Sequence, residues 1–316
     1  MQNKYMEKFH DEIFEKFGIN YGIVFDLLEK YLENPDNVSD EWKKYLTSLI
    51  ESKAINNKPI VIKKENQTIK TEIQSKKEEP KESLIAITDE DNPVPIVGVG
   101  ARIIRNMEES LSIPTATSQR TIIVKLLEEN RRIINYHLLK LGESKISYSH
   151  IVAYAIVKAI RKYPDLNNAF SFHNGKPQLL KRKYVNLGIA VDMVKKDGSR
   201  SLIVPNIKKS SRKNFYEFRK AYDELVNKAR TGNIEPDDFQ GTTISLTNPG
   251  SIGTVSSIPR LMVGQGCIIA IGAIDYPAEF KAMSQTSLAS LGIGKVMNIT
   301  NTYDHRIIQG AESGEF

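Results

Sequence analysis

The sequence predicts an α+β domain in which helices pack on a mixed β-sheet, and three observations predict it. From about residue 94 onward, amphipathic helical stretches and short β-rich runs follow one another to the end of the chain. They do so without the strict strand-helix alternation of a doubly wound parallel sheet. At 316 residues and 40% hydrophobic content, the chain has material for one sizeable core and a smaller appendage.

The appendage comes first. Within residues 5 to 50, "YGIVFDLLEKYLENP" places Val24, Leu27, Leu28, Tyr31 and Leu32 on one helical stripe, with Pro35 just past its end. "NVSDEWKKYLTSLI" then offers Ser39 as an N-cap, acids in the first turn, and Trp42, Tyr45, Leu46 and Leu49 as a second stripe. Two short amphipathic helices cannot enclose much of a core, so residues 1–50 read either as a hairpin packed on a neighbouring domain or as a docking arm for another protein. Residues 51–93, "KKENQTIKTEIQSKKEEPKESLIAITDEDNP" in their main part, are dense in charge, lack aromatics and hold no period, the composition of a disordered linker.

Residues 94–316 carry the regular structure. "VKLLEENRRIINYHLLKLG" reads as a helix ending at Gly142, and "SYSHIVAYAIVKAIRKYP" as a more apolar helix stopped by Pro164. "YVNLGIAVDMV" and "SLIVPNI" read as strands around the "KKDGSR" turn. A helix over residues 211 to 229 follows, with Phe215, Phe218, Tyr222, Leu225, Val226 and Ala229 at helical spacing. "GTTISLTN", "GCIIAIGAI" and "KVMNITNTYDH" read as the closing strands.

Composition narrows the classes. The single Cys267 excludes a disulfide framework and a cysteine zinc site, so a reducing compartment, the cytoplasm or an organelle matrix, is expected. No run approaches 18 apolar residues and the amino terminus lacks a signal-peptide core, so no membrane is expected. The net charge of +6 is spread among nearly as many acids; it does not single out nucleic acid, and a phosphorylated small molecule suits it equally.

Most chemistry-bearing motifs fail. "IVGVGARI" lacks the third glycine and the following acid of a dinucleotide fingerprint and reads as a loop. His10, His137, His150 and His173 fall on helix faces or in a turn, where packing and surface roles account for them. His305 differs, because it stands at a strand end before "RIIQG", where backbone geometry can present a side chain to a cleft. In "SLTNPGSIGT", Thr247 and Asn248 end a strand, and Pro249, Gly250 and Gly253 force irregular backbone beyond them. On spacing alone, an ordinary turn accounts for each of these two sites.

Together they carry a resemblance. "DHRIIQG" supplies Asp304, His305, Arg306 and Gly310 of an Asp-His-Arg-x-x-Asp-Gly signature. "SYSHIVAYAIVKAIRKYPDLNNAF", "NLGIAVDM" with "SLIVPNIK", "IEPDDFQGTTISLTNPGSIG" and "GCIIAIGAI" stand in matching order. Residues 94–316 therefore resemble the catalytic domain of the lipoamide acyltransferases of 2-oxo-acid dehydrogenase complexes. Residues 1–50 are similar to the amino-terminal arm of the thiamine-dependent 2-oxoglutarate dehydrogenase component, and the combination resembles the fused multifunctional 2-oxoglutarate dehydrogenases. Against that pattern the chain stops inside the domain's last element, before an expected closing helix and a thiamine-dependent portion.

The resemblance implies a chloramphenicol-acetyltransferase-like fold, a homotrimer, and succinyl transfer from a dihydrolipoyl group to coenzyme A in the tricarboxylic acid cycle. No Asp-Lys-Ala type attachment turn is present, so the lipoyl group is expected on a partner, a lipoyl-bearing acyltransferase that works with a dihydrolipoamide dehydrogenase. No Gly-Asp-Gly…Asn-Asn motif is present, so thiamine diphosphate and Mg would belong to the portion beyond these residues. His305 is the implied base and Thr247 the implied oxyanion donor, meeting across a subunit boundary, with Asp304, Gln309 and Asn248 in support. Gln309 replaces the signature's acid; a neutral amide can hydrogen-bond but offers no charge. That replacement leans toward a rival reading, a non-catalytic assembly core, whereas His305 and Thr247 together lean toward the enzyme.

Overall fold

In a computed structural model, residues 9, 13, 16, 17, 20–55, 91–96, 99–194 and 200–316 are described. The expected linker at 51–93 lies largely outside the described residues, as does His10.

Helices α1 (Tyr21–Glu33) and α2 (Asp40–Ile55) form at the two expected stripes. Val24, Leu28, Trp42, Leu46 and Leu49 are buried, in one hydrophobic cluster with residues of the sheet domain. The attachment is polar as well. Asn20 accepts from the Val204 N–H at 2.8 Å and donates to the Val204 carbonyl at 3.0 Å, and the Trp42 indole donates to the Ile234 carbonyl at 2.9 Å. Of the two readings left open, the packed hairpin is the one that the contacts favour. The buried arm residues share a hydrophobic cluster with the sheet domain, since two short amphipathic helices cannot cover their own apolar stripes.

The order continues as α3 (Val99–Ser110), β1 (Thr115–Ile123), α4 (Lys125–Lys140), α5 (Tyr148–Ile160), the hairpin β2 (Ala169–His173) and β3 (Lys176–Leu180), β4 (Leu187–Ile189), β5 (Val191–Val194), β6 (Arg200–Ile203) and β7 (Asn206–Ile207). Then come α6 (Phe215–Thr231), α7 (Pro236–Phe239), β8 (Ile244–Thr247), β9 (Cys267–Ile271), α8 (Gln285–Ser290), β10 (Val296–Asp304) and α9 (Gly310–Glu315). Three expectations need correction. The "IVGVGARI" loop is the start of α3, whose first residue is Val99. "YVNLGIAVDMV" divides after Ile189 into β4 and β5, which belong to different sheets. The helix expected from 211 begins at Phe215, because the Asn214 side chain accepts from Glu217 N–H at 2.9 Å and the Glu217 carboxylate accepts from Asn214 N–H at 2.9 Å.

The main sheet has six strands in the order β1-β10-β9-β8-β4-β7. β8 runs parallel to β4 and β9, while β10 is antiparallel to both β9 and β1, so the sheet is mixed as expected. β9 is buried along its whole length, which explains the unbroken apolar run "CIIAI". Cys267 opens that strand fully buried, and burial pushes its thiol well above the ordinary cysteine range. The native protein is expected to leave Cys267 unmodified by a thiol-exchange reagent, with one thiol released on denaturation. Rapid labelling of the native chain would contradict this placement.

Candidate active site

Thr247 closes β8 at the carboxyl end of the parallel strands. Its neighbour Leu246 is buried, whereas Thr247 is half-buried and its hydroxyl has no hydrogen-bond partner among the described residues. Two glycines hold the chain beyond it. A Cβ on Gly250 would lie 2.3 Å from the backbone of Gly272, and a Cβ on Gly272 would lie 1.9 Å from the Val255 carbonyl oxygen. The 248–255 segment therefore docks directly on the end of β9, fastened by Ala273 N–H donating to Thr254 O at 2.8 Å. Gly272→Ala must push this segment aside. A displacement of about 1 Å at a reacting group can cost on the order of 100-fold, so a rate loss of that size is expected, with a smaller loss of melting temperature. Steady-state rates beside thermal melts check this; unchanged rates would show that the segment does not position Thr247.

Asn248 is fixed from the other side, its side-chain amide donating to Ser149 Oγ at 2.8 Å. Ser149 lies in the first turn of α5, next to His150. His150 is buried; its Nδ1 accepts from Ser147 N–H at 3.0 Å, its Nε2 lies 2.8 Å from Asp223, and its ring packs on Tyr222 at 4.3 Å. Burial holds the imidazole below its ordinary pKa against the opposing pull of Asp223. These are helix-capping and packing contacts, the role expected for His150. Ser149 was missed, although "SYSH" at the head of an apolar helix is an unusually polar start.

His305 follows β10 at the opposite end of the sheet. Its N–H donates to the Pro114 carbonyl at 2.9 Å, its ring stands 5.6 Å from that of Tyr303, and its side chain is exposed. The preceding Asp304 is buried and grips Arg306 twice, at 2.9 Å to Nε and 2.7 Å to Nη2, besides accepting the Arg306 N–H at 3.0 Å. Arg306 in turn lies 3.9 Å over the Phe170 ring. This clamp, with fully buried Ile308 behind it, shapes the turn that carries His305 outward. Gln309 is exposed at the start of α9 and makes no side-chain cap bond.

The strand register separates the two candidates. Thr247 pairs with Ala270, which pairs with Thr300, and His305 stands five positions past Thr300 along β10. At about 3.3 Å per residue, the two are roughly 16 Å apart along the strands of one chain. Within one chain, then, Thr247 and His305 lie at opposite ends of the sheet. Among the described residues no group of His, Cys, Asp and Glu could hold a metal ion, and no helix is long and apolar enough to cross a membrane. An apolar cavity of about 420 Å³ between β1, β10 and α5 holds neither Thr247 nor His305.

Residues 88–316 match the family model described as the 2-oxoacid dehydrogenases acyltransferase catalytic domain. The chain is 51% identical over 227 residues to the "2-oxoglutarate dehydrogenase E1/E2 component" of Corynebacterium glutamicum, which covers 72% of this chain and 19% of that protein. It thus spans about a fifth of the length of the curated relatives that it matches. Among solved structures it resembles the dihydrolipoamide acetyltransferase of Azotobacter vinelandii, with a TM-score of 0.60 and 24% identity over 73% of this chain and 92% of that one. It also resembles a truncated catalytic core of the 2-oxoacid dehydrogenase multienzyme complex of Thermoplasma acidophilum, with a TM-score of 0.58 and 22% identity over 71% of this chain and 94% of that one. At these identities the two structures establish the shared fold.

Proposed function

The chain belongs to the 2-oxoacid dehydrogenase acyltransferase family, and from that premise we propose that it transfers a succinyl group from a dihydrolipoyl arm on a partner protein to coenzyme A. The observation that carries the reading is that one chain holds both an exposed histidine on a clamped turn and, at a glycine-docked strand end, a threonine hydroxyl with no hydrogen-bond partner among the described residues. The succinyl preference is drawn from the relative named for 2-oxoglutarate dehydrogenase.

The chemistry follows from those groups. A thiol near its ordinary pKa of about 8.5 is mostly protonated at neutral pH, so attack needs a base. His305 takes the proton from the coenzyme A sulfur as that sulfur bonds to the acyl carbon, a contribution of about 10²–10⁴-fold. The carbonyl oxygen becomes an oxyanion that receives a hydrogen bond from the Thr247 hydroxyl. Collapse breaks the bond to the dihydrolipoyl sulfur, and the imidazolium returns the proton to that leaving thiolate. The clamped Asp304 fixes the turn, and Asn248 ties the threonine end to α5; both act by position.

The roughly 16 Å between the candidates in one chain argues for a site assembled from His305 of one subunit and Thr247 of the next in a homotrimer. Lipoyl-bearing acyltransferase and dihydrolipoamide dehydrogenase are the proposed partners, and a soluble cytoplasmic setting suits them. The assembly-core alternative rests on Gln309, which carries no charge where the family signature has an acid.

The direct test is transfer of succinyl from S-succinyldihydrolipoamide to coenzyme A by the purified protein. Thioester formation at a rate proportional to enzyme supports the reading; none beyond the uncatalysed rate favours the assembly core. Intact mass of protein made in a lipoate-competent host is expected to show no lysine-linked lipoyl increment. An added lipoate mass would remove the need for a separate donor.

A further inference from the structure

At the carboxyl end of α5, beside the segment entering β4, a cleft of about 500 Å³ has charged groups of one sign alone. Arg161, Arg182, Lys183 and Arg212 line it, and no Asp or Glu is among its lining residues. Lys209 supplies a fifth cation. Its ammonium lies 5.6 Å from the centre of the Tyr184 ring, with Lys183 at 5.4 Å and Arg212 at 5.7 Å. None of these five makes an ion pair with a carboxylate among the described residues. Asp165, close by in sequence, is not among the lining residues and accepts from the Asn168 side-chain amide at 2.7 Å.

The walls are fixed rather than free to spread the charge. The Ser210 hydroxyl donates to the Val185 carbonyl at 2.8 Å, and Val185 N–H donates to Ser211 Oγ at 3.3 Å. Arg161 is anchored by its donation to the Ser211 carbonyl. Lys209 has a φ of 48°, in the left-handed region, held by donation of its N–H to Asn186 Oδ1 at 2.8 Å. Five cations kept this close repel one another, and an anion that reaches several at once relieves that repulsion. Arginine's planar fork matches paired phosphate oxygens, and lysine adds point charge. A hydrogen bond from Lys183, with the charges of Lys183 and Arg212, also holds the Tyr184 hydroxyl below its ordinary pKa.

We propose that this cleft binds a ligand carrying two or more phosphate groups, of about nucleoside-diphosphate size, at a site separate from His305 and Thr247. The cleft opens on the same sheet end as His305. Three strand spacings separate β4 from β10, on the order of 14 Å at about 4.8 Å per strand. Two sources share this chemistry: the phosphate-bearing end of coenzyme A with its sulfur at the transfer centre, which rests on the proposed function, and a free nucleoside diphosphate, which does not.

Calorimetric titration of the full chain with pyrophosphate, ADP and coenzyme A, with sulfate as control, tests the site without turnover. Pyrophosphate and ADP are expected to bind, and R182Q with K183Q to weaken both by about tenfold or more, as expected for the loss of charge-assisted contacts. Coenzyme A weakened in parallel, and displaced by ADP, assigns the cleft to the acyl acceptor. Coenzyme A unaffected while ADP binding is lost assigns it to a free nucleotide. Absence of pyrophosphate and ADP binding at millimolar concentration overturns the proposal on the wild-type protein alone. So does sulfate binding as tightly as pyrophosphate, or affinity unchanged in a folded R182Q/K183Q protein. Because binding is read directly, a failed transfer assay and a failed cleft leave distinct results.

Discussion

His305→Ala is expected to lower succinyl transfer by about 10²–10⁴-fold, the contribution of a positioned general base. Thr247→Val removes one oxyanion donor and is expected to cost about 2.7–4 kcal/mol, or roughly two to three orders of magnitude. Neither change should disturb the fold, since the His305 side chain is exposed and the Thr247 hydroxyl has no intramolecular partner among the described residues. The decisive measurement mixes the two variants. In a trimer with sites shared between chains, some interfaces of a mixed assembly pair an intact His305 with an intact Thr247, and part of the activity should return. If subunit exchange is verified and the mixture stays as inactive as its parents, the shared site is wrong. If His305→Ala alone keeps full activity, the catalytic reading falls and the assembly core becomes the better account.

Removal of residues 1–50 is expected to lower the melting temperature by about 10 °C or more. By itself the charge-dense stretch at 51–93 predicts that residues 1–50 are dispensable for folding of residues 94–316; the packing of the arm on the domain predicts the opposite. Deletion bares the Val204 N–H and carbonyl and the Ile234 carbonyl, now paired with Asn20 and Trp42. It also exposes the surface covered by Trp42, Leu46 and their neighbours in the common core. At about 1.5–3 kcal/mol per fully buried side chain, two or three such contacts amount to about 5 kcal/mol. For a domain of this size that corresponds to a shift of the stated order. Thermal melts of the shortened and full chains decide it, and coincident melts would show that the arm adds nothing to the fold. Trp42→Phe offers a milder check, since it keeps most of the apolar contact and loses the bond to Ile234.

Much of this molecule was legible in the order of its residues. The stripes of Val24 and Leu28, then of Trp42, Leu46 and Leu49, mark the two arm helices, because side chains at helical spacing must share a face. The apolar run at Cys267–Ile271 marks a strand covered on both faces, and the Asn214 and Glu217 pair fixes where α6 begins. The edge strand β1, "TATSQRTII", has no such signal. Its polar residues face solvent on much of the strand, and its place comes from pairing with β10 far along the chain.

The candidate site divides the same way. Sequence alone singled out His305 at a strand end and Thr247 before a proline-glycine turn, since those local patterns do not depend on the rest of the chain. Only the tertiary structure decided that they stand at opposite ends of one sheet, because strand order and direction come from pairings between distant segments. It likewise decided that the arm shares the domain's core, that Ser149 steadies Asn248, and that Lys183, Lys209 and Arg212 converge on Tyr184 in a cleft also lined by Arg161 and Arg182. Local pattern determines what a segment can form. Burial, register and charge between segments remote in sequence determine what it forms against.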